Sequence, residues 1–155
     1  PIKKSRTDFI VEKATELGVA KIFPTHSEFT NSERINQSRL QAHAIEAAEQ
    51  CGGTYVPKVH TICKLIDTLE NWPEARNIFF CNEDNLKPIR NLSSFPNGAW
   101  AIFIGPEGGF SQNEKNHFLK HPKTFSVSLG PRILRADTAV VSALTLWQSN
   151  FGDWI

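Results

Sequence analysis

Two stretches in the second half of this chain restrict its fold more than any other feature. The first is Ile102-Phe103-Ile104-Gly105-Pro106-Glu107-Gly108-Gly109-Phe110-Ser111, and the second is Leu129-Gly130-Pro131-Arg132-Ile133-Leu134-Arg135-Ala136-Asp137-Thr138-Ala139. In each, an apolar run ends in a glycine-containing turn that leads into a helix. That layout belongs to open α/β sheets, which bind ligands at the carboxyl ends of their strands. Glycine leaves backbone donors and acceptors unobstructed there. Two such loops, close in sequence, predict one shared pocket.

The rest of the chain alternates in the way such a sheet requires. Thr7 is placed to cap a helix with Asp8 in its first turn, an apolar face of Ile10, Val11, Ala14 and Leu17, and a left-handed stop at Gly18. Residues 19–24 read as a buried strand, and 38–50 as a helix whose Leu40, Ala44, Ala47 and Ala48 share one side. A short strand at 56–61, a helix at 64–70 and a strand at 77–81 follow. Residues 100–104 are apolar throughout, as a strand covered on both faces should be. Ser111-Gln112-Asn113-Glu114 is a capping box. Residues 125–129 alternate Phe, Ser, Val, Ser and Leu, the pattern of a half-buried strand. A helix at 137–150 carries Ala139, Val140, Ala143, Leu144 and Trp147. Strands and helices taking turns predict an α/β parallel sheet.

Composition narrows the function classes. The 155 residues fit one domain able to bury on the order of 70% of its unfolded surface. No apolar stretch approaches the roughly 18 residues of a membrane helix, and no signal peptide is visible. Cys51, Cys63 and Cys81 have no C-x-x-C spacing, so neither a disulfide framework nor a zinc site is expected. They are expected to be reduced, buried thiols in a cytoplasmic protein. A net charge of +1 is far from the footprint of a stand-alone nucleic-acid binder. Lys3, Lys4 and Arg6, and Lys115, Lys120 and Lys123 with His117 and His121, read as a terminus and a solvated helix face. The chain opens on Pro1 and contains no methionine, as expected of a fragment of a longer product.

Known chemistry-bearing motifs are mostly missing. Gly105-Pro106-Glu107-Gly108-Gly109 is neither a phosphate loop nor a dinucleotide fingerprint. No G-x-S-x-G elbow is present. His43 and Glu46 give H-x-x-E on a helix, but without a second copy of that motif no metal site is expected. Arg135 and Asp137 beside a glycine turn suit either a ligand site or a mutual surface salt bridge.

The two loops, together with Ala14-Thr15-Glu16-Leu17-Gly18-Val19 and Glu46-Ala47-Ala48-Glu49-Gln50-Cys51-Gly52, resemble the ribosomal RNA small subunit methyltransferase E family, of the SPOUT class. The resemblance covers nearly the whole chain. Gly53 stands where that family usually has arginine, Asp137 where glutamate is common, and Ser32-Glu33-Arg34 sits in a lengthened loop. The resemblance implies an α/β parallel sheet flanked by helices with a deep C-terminal trefoil knot, an exception to the usual rarity of knots. It also implies a homodimer, and an N-terminal RNA-binding domain that this chain lacks, leaving residues 1–155 as the SPOUT methyltransferase domain.

The resemblance further implies S-adenosyl-L-methionine as cofactor, held mostly by backbone at Ile104, Gly105, Pro106, Glu107, Gly108, Gly109, Leu129, Gly130, Ile133 and Leu134, with Thr138 nearby. The reaction implied is methylation of N3 of uridine 1498 of 16S ribosomal RNA in the small ribosomal subunit, with no metal and no membrane involved. Arg135, with Arg132 as a second candidate, suits charge developing on a uracil oxygen, although either arginine also suits an RNA phosphate. Glu107 suits accepting the N3 proton, facing the sulfonium, or bonding the amides of its own turn. Another base, a ribose 2′-hydroxyl, or a non-catalytic knotted docking module are the alternatives.

Overall fold

The computed structural model describes residues 4–30, 34–84 and 92–154. Lys3 and the Ser32-Glu33 part of the lengthened loop lie outside them. All strand pairings in the described residues are parallel. Strand β1 (Lys21–Ile22) pairs with β3 (Lys58–Val59), β2 (Thr25–His26) pairs with β4 (Cys63–Lys64), and β5 (Arg76–Cys81) runs between β6 (Ala99–Phe103) and β7 (Thr124–Val127). The helices are α1 (Lys4–Glu16), α2 (Gln37–Gln50), α3 (Leu65–Glu70), α4 (Gln112–Lys120) and α5 (Ala136–Phe151). The expected α/β parallel architecture, flanked by helices, is present.

Strand β5 shows why this sheet takes two layers of helix. Its Ile78, Phe79 and Phe80 are each fully buried. Ile78 and Phe80 point into a cluster with Leu65 and Leu69 of α3, Phe110, and Phe118 of α4. Phe80 and Phe118 stack with centroids 4.2 Å apart. Phe79 points the other way, to Trp100, Val127 and Ala143 of α5. Burial of each such side chain contributes about 1.5 to 3 kcal/mol. Helix α1 is wedged between two others. Val11 packs on Leu40 and Ala44 of α2, and Ala14 on Val140 and Leu144 of α5. The helix stops at Gly18, as its sequence predicts.

Four local expectations are corrected. Helix α1 is already running at Lys4, so Thr7 lies inside it and is not at its N-cap position. The strand expected over 19–24 is shortened to β1, and a separate strand, β2, begins only after Pro24, because proline has no N–H to continue a ladder. Strand β7 is not half-solvated: Thr124, Phe125 and Ser126 are only partly exposed and Ser128 just beyond is 6% exposed, since helices cover both faces. Cys51 is exposed and Cys63 and Cys81 partly buried, so the thiols are free but not uniformly interior. The boundaries of α2, α3, β5, β6, α4 and α5 agree with expectation within about two residues.

Candidate functional site

Because β6 and β7 lie on either side of β5 and run the same way, the two glycine loops leave the sheet at one end. Their starting points are level, with Phe80 opposite Phe103 and Cys81 opposite Val127. Ile104 and Leu129, the first residue of one loop and an early residue of the other, pack on one shared cluster around Phe79, Trp100 and Val127. The sequence-predicted juxtaposition of the loops is therefore present.

The first loop is held from every side. The Gly109 amide donates to the Pro106 carbonyl at 2.8 Å, closing a turn over Glu107 and Gly108. Gly109 has φ +69°, a conformation that demands glycine, and the exposed Glu83 carboxylate would have to move aside from a Cβ there. A Cβ on Gly105 would press on the Phe110 ring, and one on Gly108 on Phe29. The predicted capping box is formed. Ser111 Oγ accepts from the Glu114 amide at 3.3 Å, and Glu114 Oε2 accepts from the Ser111 amide at 2.9 Å. The other oxygen of this buried carboxylate, Oε1, accepts from the Glu28 amide at 2.8 Å. One side chain thus fixes the start of α4 and the 27–30 turn together.

The second loop is open. Gly130, at φ +124°, has nothing within 4 Å of where a Cβ would stand. Its amide donates to Ser128 Oγ at 3.3 Å. Ile133 is 80% exposed, an unusual state for an isoleucine in a folded loop. Arg132, Arg135 and Thr138 are exposed too, and Leu134 is half-buried. Arg135 takes the N-cap position of α5, where its carbonyl accepts from the Ala139 amide at 2.8 Å but its side chain makes no cap bond. Among the described residues neither the Arg132 nor the Arg135 guanidinium has a hydrogen-bond or ion-pair partner.

A residue read in the sequence only as part of a basic terminus joins the two loops. Arg6 of α1 places Nη1 2.8 Å from Glu107 Oε1 and Nε 4.0 Å from Asp137 Oδ2. Two readings are corrected by this contact. The partner of Asp137 is Arg6 and not Arg135, and Glu107 accepts from Arg6 instead of from the amides of its own turn. Nothing local in sequence signals the pairing, since 101 positions separate Arg6 from Glu107. His43 places Nδ1 2.9 Å from Glu12 Oε1 and Nε2 3.7 Å from Asp8 Oδ2, on α1, where Arg39 also meets Asp8. Among the described residues no group of three or more His, Cys, Asp or Glu side chains is arranged to hold a metal. Lys115 pairs with Asp84 at 2.6 Å, and no described helix is long and apolar enough to cross a membrane.

What this arrangement can hold is a ligand lying between a rigid turn and an open one, contacted largely by backbone. Residues 1–148 match the RNA methyltransferase domain family. The chain is 32% identical over 146 residues to the ribosomal RNA small subunit methyltransferase E of Rickettsia conorii, covering 92% of this chain and 59% of that protein. It is 34% identical to that of Aquifex aeolicus, covering 90% and 61%. It also superposes with a TM-score of 0.86, at 29% identity, on the crystal structure of the Neisseria gonorrhoeae ribosomal RNA small subunit methyltransferase E bound to S-adenosyl methionine, covering 100% of this chain and 65% of that one. The chain spans about three-fifths of the length of the curated relatives it matches. With the family match over residues 1–148 and relatives covering nine-tenths or more of the chain, this chain belongs to the RNA methyltransferase family and resembles its ribosomal RNA small subunit methyltransferase E members along nearly its full length.

Proposed function

We propose that residues 1–155 form the SPOUT domain of an S-adenosyl-L-methionine-dependent methyltransferase acting on N3 of uridine 1498 of 16S ribosomal RNA. The observation that carries this reading is the pairing of the two glycine loops at one end of a parallel sheet, in a fold whose relative is bound to S-adenosyl methionine. The residues present suit that cofactor. The space over Gly130 is free, and Ile133 offers exposed apolar surface for a flat ring. The amides of Arg132, Ile133 and Leu134 have no hydrogen-bond partner among the described residues, so they are free to donate to a ligand. Ile104 to Gly109 and Leu129 to Leu134, with Thr138, would make the pocket. A threaded, knotted passage of the C-terminal segment, a homodimer and a cytoplasmic location belong to the same proposal.

When bound, the cofactor supplies an electrophilic methyl group on a sulfonium. The chain's own task is to make N3 of uracil nucleophilic, since that nitrogen carries a proton. Arg135, exposed and without a side-chain partner at the head of α5, donates to a uracil carbonyl oxygen as negative charge spreads onto it; Arg132 is the second such donor. Removing one such donor costs on the order of 10²- to 10³-fold in rate in comparable sites. Glu107 keeps Oε2 for the N3 proton or for the positive donor, while Arg6 holds Oε1 and so fixes the carboxylate's direction. Positioning supplies much of the rest of the rate.

The test pairs calorimetric titration by S-adenosylhomocysteine with transfer of labelled methyl groups to small ribosomal subunits. Binding at one site per protomer that survives Arg135→Ala, with methyl transfer that does not, is expected. A folded chain that binds no S-adenosylhomocysteine overturns the proposal. Mapping the modified nucleotide distinguishes base from ribose.

A further inference from the structure

The face of the β1–β3 pair turned away from α1 and α2 carries side chains with no role in the loops described above. Ile22 and Val59 point inward, to Val11, Leu40 and Ala44. Strand alternation sends their neighbours, Lys21 and Phe23 on one strand and Lys58 and His60 on the other, to the opposite face. Lys21 and Lys58 are direct Cα partners across the parallel pair, both exposed. Like charges so placed repel, yet neither lysine has a carboxylate partner among the described residues.

The next step along the pair is aromatic. The His60 amide continues the ladder by donating to the Ile22 carbonyl at 2.9 Å, and the rings of Phe23 and His60 stack at 4.0 Å with 12° between their planes. Phe23 nevertheless remains 52% exposed. Burial, then Lys58 and Lys21, push the imidazole pKa below its ordinary 6.5, so at neutral pH the ring is uncharged. At the other end of β1, the Tyr55 hydroxyl donates to the Ala20 carbonyl at 2.9 Å, and this third aromatic is 58% exposed.

We propose that Phe23, stacked on His60 and flanked by Lys21 and Lys58, is a platform for a single strand of RNA, with one base on the exposed Phe23 ring and the backbone phosphates on the two lysines. Flat exposed aromatics with unpaired cations alongside are what single-stranded nucleic acid requires of a protein surface. A duplex, whose bases are already stacked, cannot use the ring. The proposal rests on the RNA-methyltransferase reading for its occupant but uses none of the residues of the two glycine loops.

Fluorescence anisotropy of a labelled ten-nucleotide uridine-rich RNA, titrated with this chain, tests it beside a duplex RNA of equal length. Phe23→Ala is expected to weaken single-strand binding about ten-fold, within the range for loss of one stacked base, and to leave duplex binding unchanged. Lys21→Gln and Lys58→Gln are each expected to lower the slope of log affinity against log salt by about 0.7. Equal binding by wild type and Phe23→Ala, or an unchanged salt slope in both lysine variants, overturns the platform; so does a chain that binds no RNA at all. S-adenosylhomocysteine titration of the same samples separates the two proposals. Donor binding without the Phe23 effect leaves the methyltransferase reading standing, and the Phe23 effect without donor binding leaves only the platform.

Discussion

The two glycine loops leave the same end of the same sheet and are built in opposite ways. Residues 104–109 are closed by an internal turn, pressed by Phe110, Phe29 and Glu83, and followed by a helix whose buried Glu114 also grips the 27–30 turn. Among the described residues, 129–135 have open space above Gly130, an isoleucine almost wholly in solvent and two arginines without partners. A loop satisfied by its own protein contributes shape. A loop left unsatisfied contributes contacts, and ordering it around a ligand is where binding free energy is spent.

The contrast breaks first where the closed loop meets the core. Phe110→Ala, at the end of that loop, is expected to cost about 3 kcal/mol or more of stability, read as a lower urea midpoint. Glu114→Ala comes next, at about 2 kcal/mol, because it strands the Ser111 and Glu28 amides at once. If it were as mild as a surface change, the closed loop would not depend on its cap. Cys81 ends the strand between the loops, and burial holds its thiol well above its ordinary pKa of 9.0. Above pH 9 the unfolded thiol ionises while the folded one stays neutral, so stability falls by at most about 1.4 kcal/mol per pH unit. Cys81→Ala is expected to remove that slope. Arg6→Ala should change stability by less than about 1 kcal/mol, as a partly exposed ion pair does, yet weaken S-adenosylhomocysteine binding several-fold by releasing Glu107. Smallest in stability is Ile133→Ala, within about 0.5 kcal/mol. It sharpens the comparison by its second readout, weaker S-adenosylhomocysteine binding in calorimetry.

Much of this was legible in the sequence because the signals were local. Ser111 and Glu114 are three residues apart, and their capping box formed as read. The wholly apolar run at 100–104 announced β6, a strand covered on both faces, with Phe103 on one hydrophobic cluster and Trp100 and Ile102 on the other. What escaped was fixed by packing between distant segments. Arg6 looked like a basic terminus, and only the docking of α1 on α5 brings it to Glu107 and Asp137. The Ser/Phe alternation before Leu129 suggested a wet face that helices in fact cover. The Phe23–His60 stack depends on a strand register that no turn between β1 and β3 announces.

The reach of Arg6 across the chain also bears on when the site comes into being. Its partners lie more than a hundred residues later, and Asp137 belongs to α5, which is synthesised after α1 to α4. Parallel pairing of β5 with β7 needs the same late segments, and contacts so distant in sequence close slowly. A nascent or truncated chain ending before β7 would hold its first glycine loop without the second. Competence to grip a ligand would therefore arrive late in synthesis and all at once, a built-in delay that keeps half-made copies from occupying it.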